Sequence, residues 1–227
     1  MKEPASRAPS AAFSPEEIAA LQALGIPVTM QPGNVLFAEG ERTDHAVLLN
    51  RGRVKITSTG SNGQEVVLAV RGPGEIVGEM APLDRRPRSA TVVAITPVEV
   101  SIVRADDFNN FLNEHPRVMR SLLTQVIRRL RDADHRRVEL ATTSVMARVA
   151  SRLLELASVD SEDEDHSGLS PVPAMSQSDL ASLVGASREA VSKVLRTLRS
   201  SGIISTHYRS IEIKDLDALR GLARESE

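Results

Sequence analysis

The sequence predicts an α+β fold, with an antiparallel β-rich half followed by a helical half, and three observations predict it. Between Pro27 and Arg104, turn-forming pairs recur roughly every ten residues among short β-branched runs. From Ala105 onward the apolar residues adopt helical spacing instead. The last third carries two short amphipathic helices and then two further β-branched runs. At 227 residues, 41% hydrophobic, the chain is long enough to bury a core in each of two domains. Aromatic residues make up only 2%, so that core must be aliphatic.

The turns are Pro32-Gly33, Glu39-Gly40, Arg51-Gly52, Asn62-Gly63 and Gly72-Pro73-Gly74. Between and after them lie strand-like runs at Ala46–Leu49, Val54–Ser58, Glu65–Val70, Ala90–Ile95 and Val98–Val103. Short strands at that spacing indicate an antiparallel sandwich or barrel. Asn62-Gly63 is the sharpest hairpin signal, since both residues tolerate positive φ.

Asp106–Asn113 reads as a short helix stopped by His115-Pro116, and a long helix then runs from Pro116 to about Ala141. Met119, Val126, Ala133 and Leu140 recur every seven residues, with Leu123 and Leu130 four after the first two. This is an a/d seam, broken at the next d position by Arg137. It fits a contact with a second copy of the chain; a helix packed only on its own sheet is the alternative. A further helix covers Val145–Ala157, and the stretch from Ser158 to Pro173, rich in Asp and Glu, reads as a solvated linker.

After the linker, Ser176 can cap a helix, with Asp179 as a capping-box-like partner. Leu180, Ala181, Leu183 and Val184 form its apolar face, Gly185 supplies a tight turn, and Ser187 can cap a second helix packed through Val191, Val194 and Leu195. That is helix-turn-helix spacing. The second helix offers Arg188, Glu189, Ser192, Lys193 and Arg196 outward, residue types that pair with base edges in the major groove. Gln177 and Ser178 at the start of the first helix, and Arg209 in a hairpin wing formed by Ile203–Thr206 and Ile211–Ile213, are placed to meet phosphates, and Ser187 at the start of the second helix is a further DNA-binding candidate. Double-stranded DNA is the expected partner. Of the 28 Lys and Arg residues 24 are Arg, the side chain better suited to bidentate contacts.

A second motif lies in the β-rich half. Gly72-Pro73-Gly74-Glu75-Ile76-Val77-Gly78-Glu79-Met80-Ala81 is followed by Pro87-Arg88-Ser89-Ala90-Thr91. Glycines allow close backbone approach, and a short helix from Glu79 would turn N–H groups toward an anion. Arg88 can clamp a phosphate, and Glu79 can accept from a ribose hydroxyl. A plain turn carrying a surface salt bridge would give the same pattern.

Other chemistries lack their residues. Without cysteine there is no disulfide, thiolate zinc site or cysteine-ligated cluster. The five histidines are scattered, and His45 alone falls within residues 28–104, so a metal-dependent barrel enzyme is not expected, nor any metal. No apolar run approaches a membrane span, and Met1 to Ser10 has no signal-peptide core, so a cytoplasmic location is expected.

Together the two motifs resemble the cyclic-AMP receptor protein and fumarate–nitrate regulator superfamily of bacterial transcription regulators. The resemblance runs from about Val28 to Asp215. It implies a cyclic-nucleotide-binding-type β-roll at 28–115 after an N-terminal segment at 1–27. A dimerisation helix at 116–144 and a winged helix-turn-helix at 145–227 would follow. By this resemblance Gly78, Glu79, Met80, Ala81, Arg88 and Ser89 would hold cAMP or cGMP, with Glu79 on the ribose and Arg88 and Ser89 on the phosphate. Arg188, Glu189 and Lys193 would read bases, and RNA polymerase would be a partner of the homodimer. The chain departs from the pattern in three places. Ala133-Asp134 replaces the Thr-Ser pair that faces the purine, and Asp134 can accept from a base amino group but not donate. Lys193 stands where an Arg is usual, and Pro82 stiffens the cassette helix. A regulator of the same fold that needs no ligand, or senses another small molecule, is the second reading.

Overall fold

The computed structural model describes residues 13–158, 172–173, 175–207 and 210–224. The first half comprises helix α1 (Pro15–Leu24) and strands β1 (Ile26–Met30), β2 (Val35–Phe37), β3 (Ala46–Arg51), β4 (Val54–Thr59), β5 (Glu65–Arg71) and β6 (Ile76–Val77). One-turn helix α2 (Met80–Asp84) and strands β7 (Thr91–Ala94) and β8 (Val98–Val103) complete it. The strands form two antiparallel four-stranded sheets, ordered β1-β8-β3-β6 and β2-β7-β4-β5.

β3 shows why the strands sit where they do. Its four successive apolar residues are all buried because the strand has a core on each face. Val47 and Leu49 point into the core between the sheets with Phe37, Val54, Val92 and Val100. Ala46 and Leu48 point the other way, under the helices, with Leu21, Phe108 and Leu122.

Those covering helices are α1, α3 (Ala105–Glu114) and α4 (Pro116–Thr142). α1 corrects the sequence reading, which placed no element in segment 1–27. Ser14 and Glu17 form a reciprocal capping box, with Ser14 N–H donating to Glu17 at 2.8 Å and Pro15 in the first turn. On α4, Val118, Leu122 and Gln125 face the chain's own core. The predicted seam faces the other way: Leu123 is 57% and Leu130 63% exposed, and Met119, Val126 and Ile127 are also open.

The C-terminal unit contains α5 (Val145–Ser158), β9 (Val172–Pro173), α6 (Gln177–Val184), α7 (Arg188–Ser200), β10 (Ile204–His207), β11 (Ser210–Ile213) and α8 (Leu216–Arg224). Its core joins Val149, Leu153, Leu180, Val191, Leu195, Leu198 and Leu219. The end of the predicted linker is strand β9, which pairs with β11 and buries Val172, so the three-stranded sheet β10-β11-β9 replaces a bare hairpin. The acidic stretch Asp160–Asp165 lies outside the described residues. Helix α8 was also not expected; Asp215 caps it by accepting from Ala218 N–H at 2.9 Å, and Leu219 is fully buried.

Candidate functional site

The predicted cassette residues come together at the end of β6. Gly78 adopts φ +72°, and a Cβ there would lie 2.7 Å from Arg88 Nη1 and 2.8 Å from the Phe37 ring. Only glycine allows that approach. Arg88 is 3% exposed and held on three sides: Nε donates to Thr43 Oγ1 at 2.9 Å, Nη1 to the Gly78 carbonyl at 2.8 Å and Nη2 to the His45 carbonyl at 2.8 Å. Its guanidinium lies 4.0 Å over the Phe37 ring. Of the five guanidinium N–H groups, three are used in this way, and one on each terminal nitrogen takes no partner among the described residues. The fork is therefore fixed in direction, with capacity left for an anion. Burial pulls the Arg88 pKa down, and the carboxylates of Glu41, Asp44 and Glu79 oppose that pull. Burial, and then the Arg88 charge, depress the pKa of neighbouring His45, while Asp44 and Glu41 act against them.

Glu79 is 5% exposed at the start of α2. Its Oε1 accepts from Arg129 Nη1 on α4 at 2.7 Å, and Arg129 Nη2 donates to the Ile76 carbonyl at 2.7 Å. Sequence reasoning missed Arg129 within a run of arginines. Helix phase would have found it, since Arg129 follows Leu122 and Gln125 on the inward face. Ala81 is buried, Met80 is exposed, and exposed Ser89 turns its hydroxyl toward Met80 Sδ at 3.7 Å. Pro82 sits within the first turn of α2, where the ring is tolerated, and its carbonyl accepts from Asn109 at 3.0 Å. Asp134 stands apart from these residues. It is exposed on α4, 3.8 Å from Arg137, and makes no contact with the cassette among the described residues.

The helix-turn-helix forms as its spacing predicts. Ser176 caps α6 by accepting from Asp179 N–H at 2.9 Å. The second half of the expected capping box is absent, because the Asp179 carboxylate binds Lys55 at 2.8 Å instead. Gly185 makes the turn at φ +67°, ψ +48°, donating its N–H to the last carbonyls of α6. Ser187 caps α7, accepting from Ala190 N–H at 3.2 Å. Val191, Val194 and Leu195 are buried, whereas Arg188, Glu189, Lys193 and Arg196 are exposed and Ser192 is half-buried. Glu189 has its pKa lowered by its own backbone N–H, by the Ser187 hydroxyl and by Arg188, which favours the accepting carboxylate. Gln177 and Ser178 are exposed at the start of α6. Arg209 lies outside the described residues.

A β domain that brings Arg88 and Glu79 together beside Gly78, a long helix and an open helix-turn-helix define a protein that couples a β domain to a DNA-reading head. Residues 27–115 match the model of the cyclic nucleotide-binding domain, and residues 147–222 that of the Crp-like helix-turn-helix domain. The chain is 34% identical over 210 residues to a CRP-like cAMP-activated global transcriptional regulator of Mycobacterium tuberculosis, covering 92% of this chain and 93% of that protein. It is 33% identical over 191 residues to the cyclic AMP receptor protein of Thermus thermophilus, covering 84% and 85%. Among solved structures, a CRP/FNR-family transcriptional regulator from Thermus thermophilus superposes with a TM-score of 0.71 at 26% identity, covering 89% of this chain and all of that one. The chain belongs to the CRP/FNR family of transcription regulators; it binds DNA through its helix-turn-helix and is not an enzyme. No helix among the described residues is long and apolar enough to cross a membrane.

Proposed function

We propose that the chain is a homodimeric transcription regulator whose affinity for a palindromic operator is raised by a cyclic nucleotide, cAMP or cGMP, held in the β domain. The observation that carries this reading is Arg88: a buried cation beside Gly78 with its fork fixed by three protein acceptors and further donor capacity. A preorganised guanidinium suits a cyclic phosphate, which would also draw on the Ser89 hydroxyl. Glu79 Oε2 takes no hydrogen bond from the described residues, so a ribose hydroxyl can donate to it while Arg129 holds Oε1. The mycobacterial and Thermus relatives, named for cAMP, support a nucleotide as the ligand.

Dimerisation is supported by the exposed stripe of Met119, Leu123, Val126, Ile127 and Leu130, which is too apolar to remain in water. Asp134 borders that stripe and is the proposed contact to the purine. Gln177, Ser178 and Arg209 are proposed phosphate contacts, and Ser187 a further DNA contact. Arg188, Glu189, Ser192 and Lys193 are proposed as the residues facing the bases.

Calorimetric titration with cAMP and cGMP tests the ligand. Arg88→Lys keeps the charge but loses the fork, and is expected to weaken binding by roughly 30-fold. Equal affinity in the variant removes Arg88 from the phosphate site. If neither nucleotide binds below millimolar concentration, the reading passes to a ligand-independent regulator or one sensing another molecule, which Ala133-Asp134 favours.

A further inference from the structure

The edge of the second sheet is where the β domain meets the reading head. β5 is the outer strand of the order β2-β7-β4-β5, and an uncovered edge exposes unpaired N–H and C=O groups. Here the register slips: Ile56 faces Ala69 but Thr57 faces Val67, so Leu68 is a bulged residue. The bulge directs two adjacent backbone groups to two different helices. Val67 N–H donates to Ser182 Oγ on α6 at 2.8 Å, and the Leu68 carbonyl accepts from Arg136 on α4. The Val67 side chain, 4% exposed, is buried in the core of the C-terminal unit. Lys55, next door on β4, reaches Asp179 of α6 at 2.8 Å and Glu65 of β5 at 3.0 Å.

This contact uses the back of α6. Asp179 and Ser182 are engaged by the hairpin, while Gln177, Ser178, Arg188, Lys193 and Arg196 stay exposed. The seat therefore leaves the DNA face open, and its effect on DNA binding must come from orientation. Burial draws the Lys55 pKa down, but its hydrogen bonds to Asp179 and Glu65 outweigh burial and leave it raised, so the ammonium stays charged.

We propose that the β4–β5 hairpin is the seat of the reading head, and that Lys55, acting through Asp179, is a positioning residue. It fixes the direction of α6 and thereby the spacing at which a dimer reads two half-sites. The inference rests on the dimeric reading above. A contact of this kind adds nothing to one head on one half-site; it lowers the cost of bringing the second head into register.

The test uses full-length wild type, Lys55→Met, Lys55→Arg and Ser182→Ala. Each is measured on a selected palindrome, on the same palindrome with a lengthened spacer, and on a single half-site. Lys55→Met should lose about fivefold on the native palindrome and narrow its preference over the lengthened one, with half-site affinity unchanged. Lys55→Arg should restore both, and Ser182→Ala should shift in the same direction as Lys55→Met, which keeps the test open if one variant folds poorly. Unchanged spacing preference in both Lys55→Met and Ser182→Ala overturns the inference, as does an equal loss on the half-site. A wild type that sediments as a monomer at these concentrations overturns the dimeric reading, and the positioning role with it. The first failures appear only in the variants; the last appears in the wild type.

Discussion

Arg129 of α4 and Glu79 of the cassette lie 2.7 Å apart, so one ion pair ties the long helix to the cassette. The side chains are 19% and 7% exposed, and Arg129 also holds the Ile76 carbonyl. Removing the cation leaves a nearly buried carboxylate without its partner, which is worse than removing both. Arg129→Leu should lower unfolding stability in urea by roughly 1–3 kcal/mol, allowing for residual solvent at the arginine. Adding Glu79→Gln should recover part of that loss. An unchanged urea midpoint for Arg129→Leu would remove the pair from the account of stability.

The apolar stripe on α4 leads to a second expectation. Leu123→Glu with Leu130→Glu should produce a monomer in sedimentation and abolish operator binding, and the thermal midpoint should lose the dependence on protein concentration that a dimer confers. A dimer that survives both charges means that another surface joins the copies.

Gly185 supports a third. Its φ of +67° disfavours any Cβ, and that Cβ would meet Leu140 Cδ2 at 2.3 Å. Gly185→Ala should cost roughly 1–2 kcal/mol from the backbone conformation alone, read as a lower thermal midpoint. Gly185→Asn should cost less on the backbone, since Asn tolerates the left-handed region. Equal stability of Gly185→Ala and wild type would contradict the turn geometry.

The fourth concerns pH. His45 has a depressed pKa in the folded protein, because burial and then Arg88 disfavour its cation. A group depressed on folding binds more protons when unfolded. Stability is therefore full above about 6.5, the unfolded value, and falls as pH drops from there toward the folded value. His45→Gln should flatten that slope between about pH 6.5 and the folded value. A phosphate at Arg88 would offset the nearby positive charge, so ligand binding should take up protons in the same window, seen as a dependence of binding heat on buffer ionisation. The same slope in His45→Gln assigns the effect elsewhere.

Local patterns made much of this molecule legible in advance. The β3 run, the Asn62-Gly63 turn, the helix-turn-helix around Ala181, Gly185 and Val191, and the exposed apolar stripe of α4 all follow from spacing and turn chemistry within a few residues. The cassette glycine at Gly78 was legible as close approach, though not the object approached, the Arg88 fork and Phe37. Long-range pairings were harder to anticipate. Arg129 with Glu79 depends on how α4 lies across the sheet, and Asp179 left its expected capping role for a lysine 124 residues away. Helix α1 had its Ser14-to-Glu17 signature in plain sight. The short β9 became a strand only because β11 offered it an edge.

The central claim is that a nucleotide in the β domain controls the DNA-reading head. Operator affinity of the protein, measured with and without cAMP and with and without cGMP at fixed salt, tests it most directly. The account predicts at least about tenfold tighter binding with one of the two nucleotides, the size of an ordinary coupling between sites, with the gain in Arg88→Lys shifted to roughly 30-fold higher nucleotide concentration. Identical operator affinity in the presence and absence of both nucleotides would contradict it.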